Sequence, residues 1–203
     1  MRNKTFISSM VLSVVCVSAA NAGVVDPFTN AETAFAQNIV PTVAPINVTG
    51  GLFNQRNVYR ANGGSGSVSG GFVNFVPRSF WMVYRQTTGT IDLSGITSMS
   101  FDITASGTFE VQWVITDSTG IAIDHEIGVV SGSTTVTFNS FIGTGENLGF
   151  NMASIQMMEV KFVDGSAGST GQISNFNYTG VPAPGALALL GVAGLVGARR
   201  RRA

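Results

Sequence analysis

Apolar and polar residues alternate with a period of two through much of the chain after residue 90. Met99, Phe101 and Ile103 alternate with polar neighbours, and the same pattern continues through residues 109–115 and 158–162. A period of two sends successive side chains to opposite faces of an extended strand. The pattern therefore predicts strands with one face in a core and one face in water.

Turn-forming residues separate these segments at intervals of roughly ten residues. The predicted turns are Ser106-Gly107, Ser118-Thr119-Gly120, Ser131-Gly132 and Asp164-Gly165. The Gly/Ser-rich residues 62–71 lack the lysine and following helix of a phosphate loop, and we expect a flexible hairpin loop there. With no helix of convincing length in residues 23–180, the sequence predicts an all-β protein, an antiparallel β-sandwich or jelly roll.

Charge is scarce and unevenly distributed. Charged residues make up 11% of the chain, against roughly 25% in an average soluble domain, so the surface must rely on uncharged polar groups. Residues 23–180 contain five basic and eleven acidic residues, a net charge of −6. Such a body is a poor partner for nucleic acid, which requires clustered Lys and Arg. The single cysteine, Cys16, precedes the body, which therefore has no disulfide.

The first 22 residues have the three parts of a secretory signal. Arg2 and Lys4 are followed by an apolar stretch over residues 6–17, which is too short for a comfortable membrane span. Small residues follow at Ala20 and Ala22 in an A-x-A arrangement. We therefore predict a signal peptide over residues 1–22, with cleavage before Gly23.

The last 23 residues have the composition of a membrane anchor. No charge occurs between residues 181 and 198, and fourteen residues after Pro184 can form a helix. This is short for a membrane span, but arginine stems can extend to the interface and lengthen it. By the positive-inside rule, we expect the terminal arginines to stay cytoplasmic and the body to lie outside. These arginines are Arg199, Arg200, Arg201 and Arg202.

This tail resembles the PEP-CTERM sorting signal of exported proteins from Gram-negative bacteria. The resemblance rests on Val181, Pro182, Ala183 and Pro184, on the Ala/Leu/Gly-rich stretch and on the arginine cluster; Ala183 stands where the family usually has Glu. It implies a membrane-embedded partner, exosortase, and cleavage near the Pro motif. The protein would be anchored in the inner membrane before processing, and then reach the cell envelope, surface or extracellular matrix.

The body resembles carbohydrate-binding jelly-roll modules. Residues 91–96 contain the sequence DLSG, residues 99–103 contain SFDI, and residues 109–117 follow as an alternating segment typical of a strand. Residues 150–162 repeat this order of a short polar and apolar lead segment followed by a strand. The resemblance implies a jelly-roll fold and, as an option, a structural calcium ion. Calcium prefers carboxylate and carbonyl oxygens, and the donors near the ends of the body are Asp26, Glu32 and Asp164.

No constellation in the sequence predicts catalysis. His125, flanked by Asp124 and Glu126, is the only histidine, whereas zinc needs three or four nitrogen or sulfur ligands. No G-x-S-x-G motif accompanies it to indicate a serine hydrolase. Eleven acidic residues permit many carboxylate pairs, but the sequence does not distinguish a glycosidase pair among them. We therefore predict a protein that is not an enzyme, without catalytic residues or a required cofactor.

An aromatic segment at residues 80–85 provides the candidate ligand face. Either Phe80, Met82 and Tyr84 enter the core and Trp81 points outward, or the reverse holds. Trp81 and Tyr84 are thus the two candidates for a sugar-stacking ring. Trp113 is in phase with the apolar residues of its own strand, which predicts a core position.

The resulting prediction has three parts: a signal peptide (1–22), a β-sandwich body (23–180) and a sorting tail with one transmembrane helix (181–203). The body of such an exported envelope protein makes non-catalytic polysaccharide or adhesive contacts. The alternative is a surface-anchored hydrolase that acts on extracellular polysaccharide.

Overall fold

The computed structural model describes residues 21–32, 36–37, 44–60, 65–77, 79–139, 149–163 and 165–180. The predicted signal peptide up to Ala20 and the predicted tail from Val181 to Ala203 lie outside these residues, so both stay predictions. Every regular element in the described part is a strand. That part contains no helix of the length and hydropathy that crossing a membrane requires.

Eleven strands follow one another in the described chain. They are β1 (Asn21–Asp26), β2 (Ala36–Gln37), β3 (Ile46–Asn47), β4 (Gln55–Arg60), β5 (Ser65–Ser69), β6 (Phe72–Val76), β7 (Ser79–Arg85), β8 (Ile96–Asp117), β9 (Ala122–Phe138), β10 (Ile155–Val163) and β11 (Thr170–Gly180). Their pairings are antiparallel, except that the two-residue β2 runs parallel to β4. The all-β antiparallel prediction is therefore confirmed.

The long hairpin of β8 and β9 belongs to two layers. The first half of β8 pairs with β11, from Ile96 to Ser106, and its second half pairs with β10, from Glu110 to Asp117. Strand β9 accompanies β8 along both halves. The first sheet is therefore β9-β8-β11-β6-β5, with β1 also on β11; the second is β9-β8-β10-β7-β4, with β2 and β3 on β4.

Aromatic rings from the two sheets pack against each other in the space between them. Phe75 of the first sheet lies 4.3 Å from Phe162 and 5.1 Å from Phe80 of the second, measured between ring centroids. Trp113 stacks on Phe176 at 5.7 Å and is 1% exposed, which confirms its predicted core position. Burying such rings supplies roughly 1.5–3 kcal/mol each and is the main force that holds the sheets together.

The predicted turns at Ser106-Gly107 and Ser131-Gly132 are wrong. Both pairs lie inside long strands, at the register shift between Ala105 and Thr108 where β8 and β9 pass from one sheet to the other. Gly107 has φ +87° and Gly132 has φ +68°, values that glycine adopts without strain. A Ser-Gly pair can bend a strand as a bulge as readily as it can reverse the chain.

The predicted turn at residues 118–120 is confirmed and joins β8 to β9. The buried carboxylate of Asp117 organises it by accepting hydrogen bonds from the amide and hydroxyl of Thr119 and from the amides of Ile121 and Asn151. Burial of the carboxylate acts to raise the pKa of Asp117, but these four hydrogen bonds outweigh it and lower that pKa. The hairpin is therefore closed by an ionised side chain.

The Gly/Ser-rich stretch differs from its prediction over residues 65–71, and residues 62–64 lie outside the described part. Instead of a flexible loop, it contains β5, which pairs with β6 across the two-residue turn Gly70-Gly71. Val68 of β5 is fully buried and its backbone exchanges two hydrogen bonds with Glu32. One buried valine, pairing with β6 on one side and a single bridge to Glu32 on the other are enough to form a strand whose other side chains are small and polar.

The packing at the bend of β8 between Ala105 and Thr108 can be tested with two glycines that share one backbone conformation. Gly107 and Gly120 both have φ +87°, but a Cβ at Gly107 would overlap the Ser169 hydroxyl, whereas none of the described atoms lies within 4 Å of a Cβ at Gly120. We expect Gly120→Ala to lower the free energy of unfolding by about 1–2 kcal/mol through backbone strain alone. Gly107→Ala should lose about 1–3 kcal/mol more, since it adds the overlap. If urea titrations gave the same loss of unfolding free energy for Gly107→Ala and Gly120→Ala, the close packing at the bend of β8 would be contradicted.

Candidate functional site

The outward face of the second sheet carries a groove with an aromatic side chain. Alternation along β4, β7, β10 and β8 places Tyr59, Trp81, Lys161 and Gln112 next to one another in register, in one row across four strands. The groove is about 290 Å³ in volume. Outward-pointing residues line it: Tyr59, Trp81, Val83, Arg85, Gln112, Glu159, Lys161 and Val163.

The structure separates the two ring candidates of β7. Trp81 is partly buried and lines the groove, whereas Tyr84 is 0% exposed and points into the core. There Tyr84 lies 5.8 Å from Phe176 between ring centroids, and burial raises the pKa of its phenol well above the usual value. The expectation that Tyr84 marks a ligand face is therefore corrected. Residues of odd and even number in β7 point to opposite faces, so only one of the two rings can face solvent.

Tyr59 is a groove residue that the sequence did not single out. It is 2% exposed and packs with Trp81, Val83 and Met157 into a small apolar cluster on the outer side of the second sheet. Tyr59 therefore forms part of the floor of the groove, and the more exposed Trp81 packs against it. Residues 55–60 read QRNVYR, with Val58 and Tyr59 adjacent, so no period of two in the sequence identifies the faces of this short strand.

Charged groups frame the aromatic floor. Lys161 Nζ lies 3.3 Å from Glu159 Oε2, and Arg85 Nη2 lies 3.4 Å from Met157 Sδ. Arg85 and Lys161 are two of the five basic residues of the acidic body. The indole N–H of Trp81 is buried and has no hydrogen-bond partner among the residues that the structure describes. The groove thus combines two aromatic rings, one amide and three ionic groups on neighbouring strands.

His125 occupies a position in β9 opposite Trp113. Its neighbours Asp124 and Glu126 are exposed, and the His125 side chain is outside the described part of the structure. Within the described ranges, no group of three or more His, Cys, Asp or Glu residues is arranged to hold a metal ion.

Two of the three calcium donors expected from the sequence do come together, but around an arginine. The fully buried Arg56 of β4 forms an ion pair through Nη1 with Asp26, and its Nε lies 3.1 Å from Glu32 Oε2. Its Nη2 donates to the Asn30 carbonyl at 2.8 Å. The second oxygen of each carboxylate accepts a backbone N–H, from Phe28 at 2.7 Å and from Val58 at 3.0 Å.

The calcium expectation for Asp26 and Glu32 is therefore corrected: their oxygens are directed at guanidinium and amide N–H groups. Asp164, the third donor, lies outside the described residues. Burial raises the pKa of Glu32, and the contact with Arg56 opposes that rise. The positive charge that two buried carboxylates require is supplied by the chain itself.

Removing the positive charge of Arg56 should destabilise the folded protein. We expect Arg56→Met to lower the free energy of unfolding by about 3–5 kcal/mol, because it leaves two carboxylates buried without a counter-charge. Arg85→Met, a partly exposed arginine of the groove, is the matched control and should change stability by less than about 1 kcal/mol. Urea titrations of the two variants that gave equal losses would show that the Arg56 cluster does not have this role.

No protein-family model matches the chain, and no curated protein matches it. Among solved structures, an agarase is similar with 12% identity and a TM-score of 0.47 over 76% of this chain, which spans about a quarter (25%) of that protein. A family 29 carbohydrate-binding module is similar with 14% identity and a TM-score of 0.45, covering 79% of this chain and 89% of the module. The family 11 carbohydrate-binding module of the cellulosomal cellulase Lic26A-Cel5E of Clostridium thermocellum has 13% identity and a TM-score of 0.45, covering 81% of this chain and 97% of that one.

Proposed function

We propose that this chain is a non-catalytic polysaccharide-binding protein and that the groove on the second sheet is its binding site. The observation that carries the proposal is the position of Trp81, on the outward face of a central strand and flanked in register by Lys161. A sugar ring presents an apolar face that stacks on an aromatic ring, and its hydroxyls need hydrogen-bond partners at the edge. Gln112, Arg85 and Glu159 supply such partners around the ring.

The size of the groove suits a short stretch of a longer chain. Its volume of about 290 Å³ is at the lower end of the roughly 300–1,000 Å³ typical of ligand pockets. The groove lies on the face of a sheet, so a polymer can enter and leave it at both ends. We therefore assign it to the interior of a polysaccharide rather than to a free sugar.

A hydrolase is the weaker candidate. Glycoside hydrolysis uses two carboxylates on either side of the scissile bond. Of the described residues that line the groove, Glu159 is the one carboxylate, and it is engaged by Lys161 at 3.3 Å. A single carboxylate does not provide the pair that glycoside hydrolysis requires.

We further propose that the protein is exported and sorted by its tail, as the resemblance to PEP-CTERM proteins implies. The described strands run from β1 to β11, between the two predicted sorting segments, and β1 includes Asn21 and Ala22, the last two residues of the predicted signal peptide. Exosortase, the membrane and an exopolysaccharide are the partners in this proposal. The jelly-roll type of the sandwich, the signal peptide and the transmembrane helix belong to the same proposal.

Replacing Trp81 tests the groove. We expect Trp81→Ala in the full-length chain to weaken retention on the polysaccharide that the wild type binds by at least about tenfold, or about 1.4 kcal/mol. Trp81→Phe keeps a ring and should retain part of the affinity. Val129→Ala, at a 69% exposed position of β9, is the surface control and should bind as the wild type does. Affinity electrophoresis measures all three, and unchanged binding by Trp81→Ala would refute the assignment.

Deleting residues 181–203 tests the sorting proposal. The truncated protein should move from the envelope fraction to the medium, because the signal peptide would still direct export while the anchor is gone. Cell fractionation with immunoblotting measures the shift. A variant with Arg199 to Arg202 replaced by Gln separates loss of the arginines from loss of the apolar stretch. The same distribution for wild-type and truncated chains would overturn the proposal.

A further inference from the structure

The first sheet has its own concavity on the side opposite to the groove. Ser67, Asn74, Gln172 and Thr104 lie side by side in register across β5, β6, β11 and β8 and form one wall. Outward residues of the next row, which include Thr170 and Ser106 as a register pair, form the second wall. We call the space between these rows the trough. It crosses four strands, which corresponds to a length of about 14 Å.

The floor of the trough is backbone. Gly66, Gly171 and Ala105 lie between the two walls, and side chains at these positions point to the core. On the inner side, the ring of Phe75 packs against Gly171 and that of Phe80 against Gly66, so neither position has room for a Cβ. The volume of this open concavity is about 550 Å³, nearly twice that of the groove.

The polar groups that line the trough are uncharged hydroxyls and amides, and they stand beside the apolar side chain of Val76. Among the described residues that line it, none is Asp, Glu, Lys or Arg, whereas roughly 25–35% of a typical designed soluble surface is charged. The Gln172 amide donates to Asn74 Oδ1 at 2.8 Å, which fixes both side chains. That hydrogen bond uses neither Gln172 Oε1 nor Asn74 Nδ2. An acceptor and donors therefore remain, held in place, for a ligand.

The charge around the trough selects its occupant. An anionic polymer would find no cation in the lining. On the same face of β8, two positions from Thr104, it would meet Asp102. Hydrogen bonds from Asn175 at 2.7 Å and from Thr135 at 2.8 Å lower the pKa of that carboxyl, so it is ionised near neutral pH. A neutral chain of hydroxyl groups meets no such repulsion, and it can both donate to and accept from amides and hydroxyls.

We propose that the trough is a second binding site, and that its ligand is an uncharged polysaccharide recognised by hydrogen bonds instead of ring stacking. The site is independent of the groove. With both sites occupied, one protein would bridge two polysaccharide chains on opposite faces of the sandwich; only this bridging rests on the proposed function of the groove.

The test separates the two sites by working in the full-length Trp81→Ala chain. Affinity electrophoresis is run through gels that contain hydroxyethylcellulose, galactomannan or dextran as neutral probes, and alginate as the anionic probe. Thr104→Ala combined with Gln172→Ala removes two of the four side chains in one wall of the trough. Thr137→Ala is the matched control, because Thr137 is exposed on the same sheet and outside the trough. Urea titrations verify that each variant remains folded.

We expect the Trp81→Ala chain to keep measurable binding to at least one neutral polymer and to bind alginate more weakly. Adding the two trough substitutions should reduce that residual binding at least tenfold, whereas Thr137→Ala should not. The proposal is overturned if the Trp81→Ala chain binds none of the neutral polymers, if the trough variant equals the Thr137→Ala control, or if alginate binds as well as the neutral probes. Loss of binding in the trough variant, with Trp81→Ala alone harmless, would support the trough and contradict the proposed role of the groove.

Discussion

The fold depends on one uninterrupted alternation of side chains along β8. Odd-numbered positions such as Phe101, Phe109 and Trp113 point inward in both sheets, although the strand changes sheet between Ala105 and Thr108. The even positions consequently point outward on both sides, and they place Thr104 in the trough and Gln112 in the groove. A slip of one residue in this register would exchange the core with both surfaces at once.

The buried cluster of Arg56 has a different role from the aromatic core. It connects β4 with the end of β1 and with Glu32, whose backbone also bonds to Val68 of β5. Ion pairs of this kind add little net stability over apolar residues, because both partners lose their hydration. Their effect is directional, since the five N–H donors of a guanidinium accept only certain positions of the neighbouring chain. The cluster thereby fixes the path of residues 26–32 across one end of the sandwich.

The sequence was informative where a segment is long and only one of its faces is apolar. Residues 99–103 and 109–115, the position of Trp113 and the turn at residues 118–120 followed from alternation and turn chemistry alone. Segments with apolar residues on both faces, such as residues 80–85, left the orientation of Trp81 and Tyr84 open. Local chemistry also could not distinguish a bend from a reversal at Ser106-Gly107, because the difference lies in which distant strands are paired there. Arg56 pairs with Asp26, which is 30 positions away in the sequence, and with Glu32, which is 24 positions away. No local sequence pattern predicts either pair.

The two ends of the described body leave it side by side, since Asn21 pairs with Gly180 across β1 and β11. Gln172 in the trough is eight residues upstream of Gly180 on the same strand, a distance of about 27 Å at about 3.4 Å per residue. Any attachment through the residues that follow Gly180 would hold the sandwich at the end where β1 begins and β11 ends. The hydroxyl-lined trough would then lie at the opposite end of the sandwich, away from the surface to which the protein is attached, where it could contact polymer outside that surface.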